Sequence, residues 1–139
     1  MISSPDILSC IGGLMAQRLE ISLVSRKSFR SGSGIASSVV NSYRLLFVHS
    51  GVIHYALEGW AEEVGGGGLL LVPAWMKRGW QVRKRRVVDL SWVEFNPLAE
   101  AVIPAQPFYC KSDHPSREAS TFSRLLDSWG KKPRALALS

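Results

Sequence analysis

The chain has 139 residues, 46% of them apolar and 20% charged, with a formal net charge of +6. That length suits one domain with its own core, and that composition excludes a disordered tail. No apolar run approaches the ~18 residues of a membrane span, and the first residues lack the basic start and apolar centre of a signal peptide.

A cytoplasmic protein with no membrane partner is therefore expected. Much of the positive excess sits in Arg83-Lys84-Arg85-Arg86 and in Lys131, Lys132 and Arg134. Both groups read as a solvated loop or helix end. Cys10 and Cys110 match no metal or redox spacing, so two reduced thiols are expected.

In chain order, Ser4-Pro5-Asp6 opens a short helix carrying Ile7, Leu8, Ile11, Leu14 and Met15, interrupted by Gly12-Gly13. Residues 19–29 alternate as a strand, with Leu19, Ile21 and Leu23 on one face. Ser31-Gly32-Ser33-Gly34 is a flexible connection. From residue 43 the strands are plain. Tyr43, Leu45, Phe47 and His49 share one face; Arg44, Leu46 and Val48 share the other.

Gly51 permits a bend, residues 52–57 form a strand, and Glu58-Gly59 turns the chain into residues 60–64. Four glycines at 65–68 mark the next turn, because each offers no side chain to pack. Residues 69–72 form a buried strand that Pro73 ends at a sheet edge. Residues 80–82 and 87–95 read as a hairpin around the basic run, with Leu90, Trp92 and Glu94 on one side. Short apolar strands broken by glycine and proline describe a mainly β sandwich or small barrel.

Beyond Pro97, Pro104 and Pro107 predict an extended crossing, and Pro115-Ser116 opens a helix. Phe122, Leu125, Leu126 and Trp129 form an apolar stripe on that helix, with Gly130 placed to end it. Pro133 starts a further helix with no room before Ser139, so the natural polypeptide is expected to continue.

The series Tyr43-x-Leu45…Gly51, Gly67-x5-Pro73 and Trp92-x-x-Phe95-Asn96-Pro97 resembles the cupin domain at the N-terminus of AraC-type bacterial transcriptional regulators. The resemblance covers residues 19–97, and the helix after Ser116 is similar to the one that follows the barrel in that family. It implies a double-stranded β-helix, or jelly-roll barrel, over residues 19–112. Residues 1–18 would be a helical extension, and residues 113–139 a helical segment leading to a DNA-binding part absent from this chain.

Catalytic cupins carry a His-x-His motif, then a carboxylate and a glycine at fixed intervals. Anchored on Gly51, those ligand positions hold Ser37, Val39 and Arg44; anchored on Pro73, the later histidine position holds Arg78, and Trp75 replaces a glycine. Valine has no lone pair and guanidinium repels a cation. No metal, cofactor or catalytic residue is therefore expected.

The resemblance implies instead a small-molecule effector pocket inside the barrel. Trp80 and Trp92 stand where sugar-responsive members carry pocket aromatics, and an indole stacks on a sugar or a flat ring while donating one hydrogen bond. Leu90 and Glu94 share parity with Trp92; Tyr43, Leu45 and Phe47 are expected to face the same cavity from the opposite strand. A buried Glu94 needs a partner, either a ligand hydroxyl or Arg78. Phe122, Leu125, Leu126 and Trp129 are expected partly to pack on the barrel and partly to form a homodimer contact.

Each of these side chains has a plainer role available. The tryptophans suit a core, His49 and His54 suit satisfied structural positions, and Glu94 and Arg78 suit the surface. Two other functions fit the same resemblance: a cupin isomerase or dioxygenase, and a stand-alone sugar-binding module. Gly65–Gly68 lacks the following Gly-Lys-Ser/Thr of a phosphate loop, and no nucleophile motif is present.

Overall fold

A computed structural model describes residues 19–83, 86–97 and 106–131. In chain order these residues form β1 (Leu19–Arg30), β2 (Gly34–Val39), β3 (Tyr43–Ser50), β4 (Val52–Leu57), β5 (Trp60–Gly65), β6 (Gly68–Val72), β7 (Lys77–Gln81), β8 (Val87–Pro97), β9 (Phe108–Lys111) and the helix α1 (Pro115–Lys131). Strands β1-β8-β3-β6-β9 make a five-stranded sheet, and β2-β7-β4-β5 make a four-stranded sheet. Every pairing is antiparallel. The fold is a mainly β, two-sheet double-stranded β-helix. The expected N-terminal helix and the helix after Pro133 lie outside the described residues.

The chain changes sheet at Gly51 and again at the glycines between β5 and β6. Gly51, between β3 and β4, has φ +84°, and a Cβ there would lie 2.1 Å from the Val87 carbonyl oxygen and 2.9 Å from the Val88 Cα. Neither backbone atom is free to move aside. We expect Gly51→Ala to destabilise the domain by more than the ~1–2 kcal/mol of the left-handed conformation alone, read as a lowered midpoint in urea unfolding. Gly59, at φ +68° with nothing near a Cβ, closes the expected β4–β5 hairpin, and Gly59→Ala would cost only that conformational term.

Two sequence expectations about connectivity fail. Strands β7 and β8 belong to different sheets, so the basic run links sheets and closes no hairpin. Strand β6 lies between β3 and β9, so Pro73 follows an interior strand and ends no edge. Strands β2 and β9 were not anticipated, because flanking glycines and prolines masked them. In β1, a register shift between Ile21 and Leu23 breaks the predicted common face: Leu19, Ile21 and the buried Val24 pack in one cluster, without Leu23.

Both faces of the five-stranded sheet are covered, which explains its unbroken apolar runs. The inner face meets the second sheet through Leu46, Val48, Leu70, Val72, Val88 and Leu90, opposite Ile53, Tyr55, Leu57 and Val64. The outer face carries Leu45, Phe47, Leu69, Leu71, Val93 and Phe95, packed under α1. The predicted stripe Phe122, Leu125, Leu126 and Trp129 packs on that outer layer, and the Phe122 ring stacks on Phe47 at 5.7 Å between centroids. Pro115 opens α1 as expected, with Glu118 in its first turn, where the helix dipole favours negative charge. Gly130 remains helical, and α1 runs to Lys131.

Candidate functional site

Strand parity decides which side chains enter the barrel. On β8, Leu90 and Trp92 face inward as expected and line a small interior cavity of about 110 Å³. Phe29, Ile35, Arg44, Leu46, Ile53, Tyr55 and Trp80 complete its wall. Tyr43, Leu45 and Phe47 do not line it. They lie on the outer face beneath α1, so their expected place in the cavity is corrected to Arg44 and Leu46. Alternation separates the two faces of β3 correctly, but both are buried, and only the helix reveals which one is inside.

The cavity has an aromatic side and a polar side. The Phe29 ring meets Trp80 edge-on at 4.7 Å and lies 6.1 Å from Trp92. Arg44 lies over the Trp92 ring at 5.6 Å and donates from Nη2 to Glu94 Oε1 at 2.6 Å. Glu94 thus finds its partner in Arg44, and neither in Arg78 nor on the surface. Burial is the largest influence on Arg44 and works to lower its pKa, but Tyr55 and Glu94 outweigh it and the net shift is upward. The charge is secure.

Arg78 is only 3% exposed. It is held by backbone: Nη2 donates to the Ser42 and Pro73 carbonyls at 3.2 and 2.6 Å, and Nε donates to Met76 at 3.3 Å. It does not line the cavity, though the charges of Arg44 and Glu94 reach it. Burial, the largest cause, lowers its pKa. Trp75 is 72% exposed at φ +64° and also lies away from the cavity.

Four buried donors near this cluster lack a partner: Arg44 Nε, Tyr55 Oη, Arg78 Nη1 and Trp92 Nε1. Tyr55 stands within hydrogen-bonding reach of the Arg44 guanidinium, although its hydroxyl has no partner in good hydrogen-bonding geometry. Buried donors are nearly always satisfied. The orphans on Arg44, Tyr55 and Trp92 stand at the hollow, and sequence patterns alone gave no sign of them.

A larger depression of about 550 Å³ adjoins this cavity at Ile35, Tyr55 and Trp80 and lies along β4, β5 and β7. Its lining includes Ala56, Ala61 and Gly79, with His54, Lys77 and Gln81. It is broad and open, and its polar side chains Glu58, Lys77 and Gln81 are exposed to water. We place the site in the smaller cavity for that reason.

Outside the barrel, His49 Nε2 lies 2.6 Å from Ser91 Oγ, and Asp89 is bound by Arg26 at 3.2 and 2.8 Å. These residue types match a nucleophile set, but Asp89 is committed to Arg26 and Ser91 is buried, so the set lacks an oriented third member. Burial, then Arg26, lowers the His49 pKa. The neutral ring is favoured in the folded state, so the unfolded chain binds more protons below about pH 6.5 and stability falls on acidification. We expect His49→Gln to flatten the loss of stability between pH 7 and 5, measured by urea unfolding at each pH.

The donor set does not fit a cupin metal. Arg44 and Arg78 stand at two ligand positions, the Val39 side chain is 57% exposed, and among the described residues no three His, Cys, Asp or Glu side chains converge. The Ser37 side chain lies outside the described residues. Among those residues, no helix is long and apolar enough to cross a membrane. The Cys110 thiol is pushed up to about 11, chiefly by burial; we expect it to resist iodoacetamide in the native protein and to react on unfolding, as read by mass spectrometry.

No protein-family model matches the sequence, and no curated protein matches it either. Solved structures do match in fold. An RmlC-like cupin family protein with a double-stranded β-helix fold, from Methanocaldococcus jannaschii, is 20% identical at TM-score 0.50, covering 56% of this chain and 72% of that one. The bacterial pirin YhhW from Escherichia coli, in complex with nickel(II), is 13% identical at TM-score 0.56 over 68% of this chain and 43% of its own. ToxT from Vibrio cholerae, bound to (E)-4-(8-methylnaphthalen-1-yl)but-3-enoic acid, is 7% identical at TM-score 0.56 over 78% of this chain. The chain spans 48% of that ToxT chain. At these identities the likeness is one of fold: this chain shares the cupin double-stranded β-helix.

Proposed function

We propose that this domain senses a small-molecule effector inside its barrel and serves as the sensing and dimerisation part of an AraC-type transcriptional regulator. The observation that carries the reading is the interior cavity, with an aromatic wall of Phe29, Trp80 and Trp92 and unpartnered buried donors on Arg44, Tyr55 and Trp92. The fold shared with ToxT, an AraC-type regulator, supports it. DNA would be read by a separate part of such a regulator, and the stripe on α1 would contribute to a homodimer. Its work would be a population shift: an effector that prefers one arrangement of the domain biases how the DNA-reading parts are presented. The domain would bind without turnover, a reading supported by the guanidinium groups of Arg44 and Arg78 at positions that hold metal ligands in cupin enzymes.

A thermal-shift screen of small polar compounds tests this. A ligand at about 100 times its Kd adds about 2.7 kcal/mol, which raises the midpoint by roughly 10 °C in a domain of this size. The rise should disappear in Trp92→Ala. Sedimentation equilibrium should show a dimer. A monomer at high concentration, together with no stabilising compound, would defeat the reading.

A further inference from the structure

We propose that the interior site takes a flat or short-chain monocarboxylate, of one ring or less, and that a sugar is excluded. This rests on the effector-sensing reading above and narrows it. The unpartnered groups lining the hollow are two donors, Arg44 Nε and Trp92 Nε1, and the Tyr55 hydroxyl, which can donate or accept. A sugar brings a donor with every hydroxyl, and each buried donor needs an acceptor. Glu94 is the carboxylate in contact with this site; its Oε1 accepts from Arg44, which leaves only Oε2 and the Tyr55 oxygen to accept from the several hydroxyls of a sugar. A carboxylate brings acceptors alone, and two oxygens match the unpartnered edge of a guanidinium and a neighbouring hydroxyl.

Charge agrees. Arg44 and Arg78 supply two fixed positive charges, Glu94 supplies one negative, and the fields of the three overlap. One negative charge from the ligand balances the cluster. A dianion such as phosphate would oppose Glu94 and would be costly to strip of water among Phe29, Leu46, Ile53, Trp80 and Leu90. Size sets the rest. A dry cavity of roughly 150 Å³ takes benzene, and this one is about 110 Å³ with half-exposed Ile35 at its edge. A short-chain acid suits this volume, one small ring fits only once Ile35 shifts, and a second ring does not.

The test is isothermal titration of the full chain with benzoate, 2-furoate and butyrate, against benzyl alcohol and arabinose. At least one acid should bind ten-fold or more tightly than either neutral probe. Tyr55→Phe and Trp92→Phe, which keep shape and remove one donor each, should weaken that acid several-fold. Arg44→Met should abolish its binding. If a neutral probe binds as tightly as the acids, the carboxylate class is wrong while interior sensing stands. If an acid binds and neither conservative variant weakens it, the assigned site is wrong. If no acid binds, this proposal fails, and if the wider screen is also empty the effector reading fails with it.

Discussion

Replacing Arg44 with methionine is expected to remove ligand stabilisation and to cost about 2–4 kcal/mol of folding free energy. The Arg44 and Glu94 side chains are each 17% exposed and 2.6 Å apart, and removing one partner leaves the other as an uncompensated charge in a poorly solvated place. The estimate sits below the usual cost for a fully buried pair because water still reaches both groups. The double variant Arg44→Met, Glu94→Leu separates the two consequences. With no charge left unpaired, most of the stability should return, while ligand stabilisation stays absent. Urea unfolding with and without ligand measures both. Full ligand response in the double variant would show that the pair is structural only.

Phe47→Ala carries the largest expected loss, about 3–5 kcal/mol. Phe47 is 1% exposed, stacks on Phe122 and meets His49 edge-on at 4.9 Å. It joins the five-stranded sheet to α1, so its removal opens a cavity at the only described contact layer between sheet and helix. A domain of this size has ~5–15 kcal/mol in total. We expect amide protection in α1 to fall before protection in β3 and β8, read by hydrogen exchange. A double-mutant cycle with Phe122→Ala should give a coupling of about 0.5–1.5 kcal/mol. Uniform loss of protection across barrel and helix would contradict this division.

Much of this fold could be read in the sequence, and the failures share a cause. Strands β3, β4, β5, β6 and β8 were found because alternation and punctuating glycines mark them. That Leu90, Trp92 and Glu94 share one side followed from the same alternation, and the resemblance supplied the inward direction. Direction on β3 did not, since Tyr43, Leu45 and Phe47 are as apolar as an inward face while lying beneath α1. The β7–β8 pairing failed because proximity in sequence favours a hairpin, whereas this barrel passes the chain between sheets at that point. Glu94 was expected to meet a ligand hydroxyl or Arg78, but the register of β3 against β8 sets Arg44 directly opposite it. The unpartnered donors were invisible until that register was known, because satisfaction is a property of three-dimensional neighbours.

The indole Nε1–H of Trp92 offers the most direct probe of where a ligand sits. It is buried and unpartnered, and its cross-peak in a nitrogen–proton spectrum is assigned by its disappearance in Trp92→Phe. On titration with a stabilising compound, that peak should move downfield as the N–H acquires an acceptor, with Trp80 following and the exposed Trp75 unchanged. A compound that stabilises the protein while leaving the Trp92 indole unmoved would put binding outside the barrel and contradict the account.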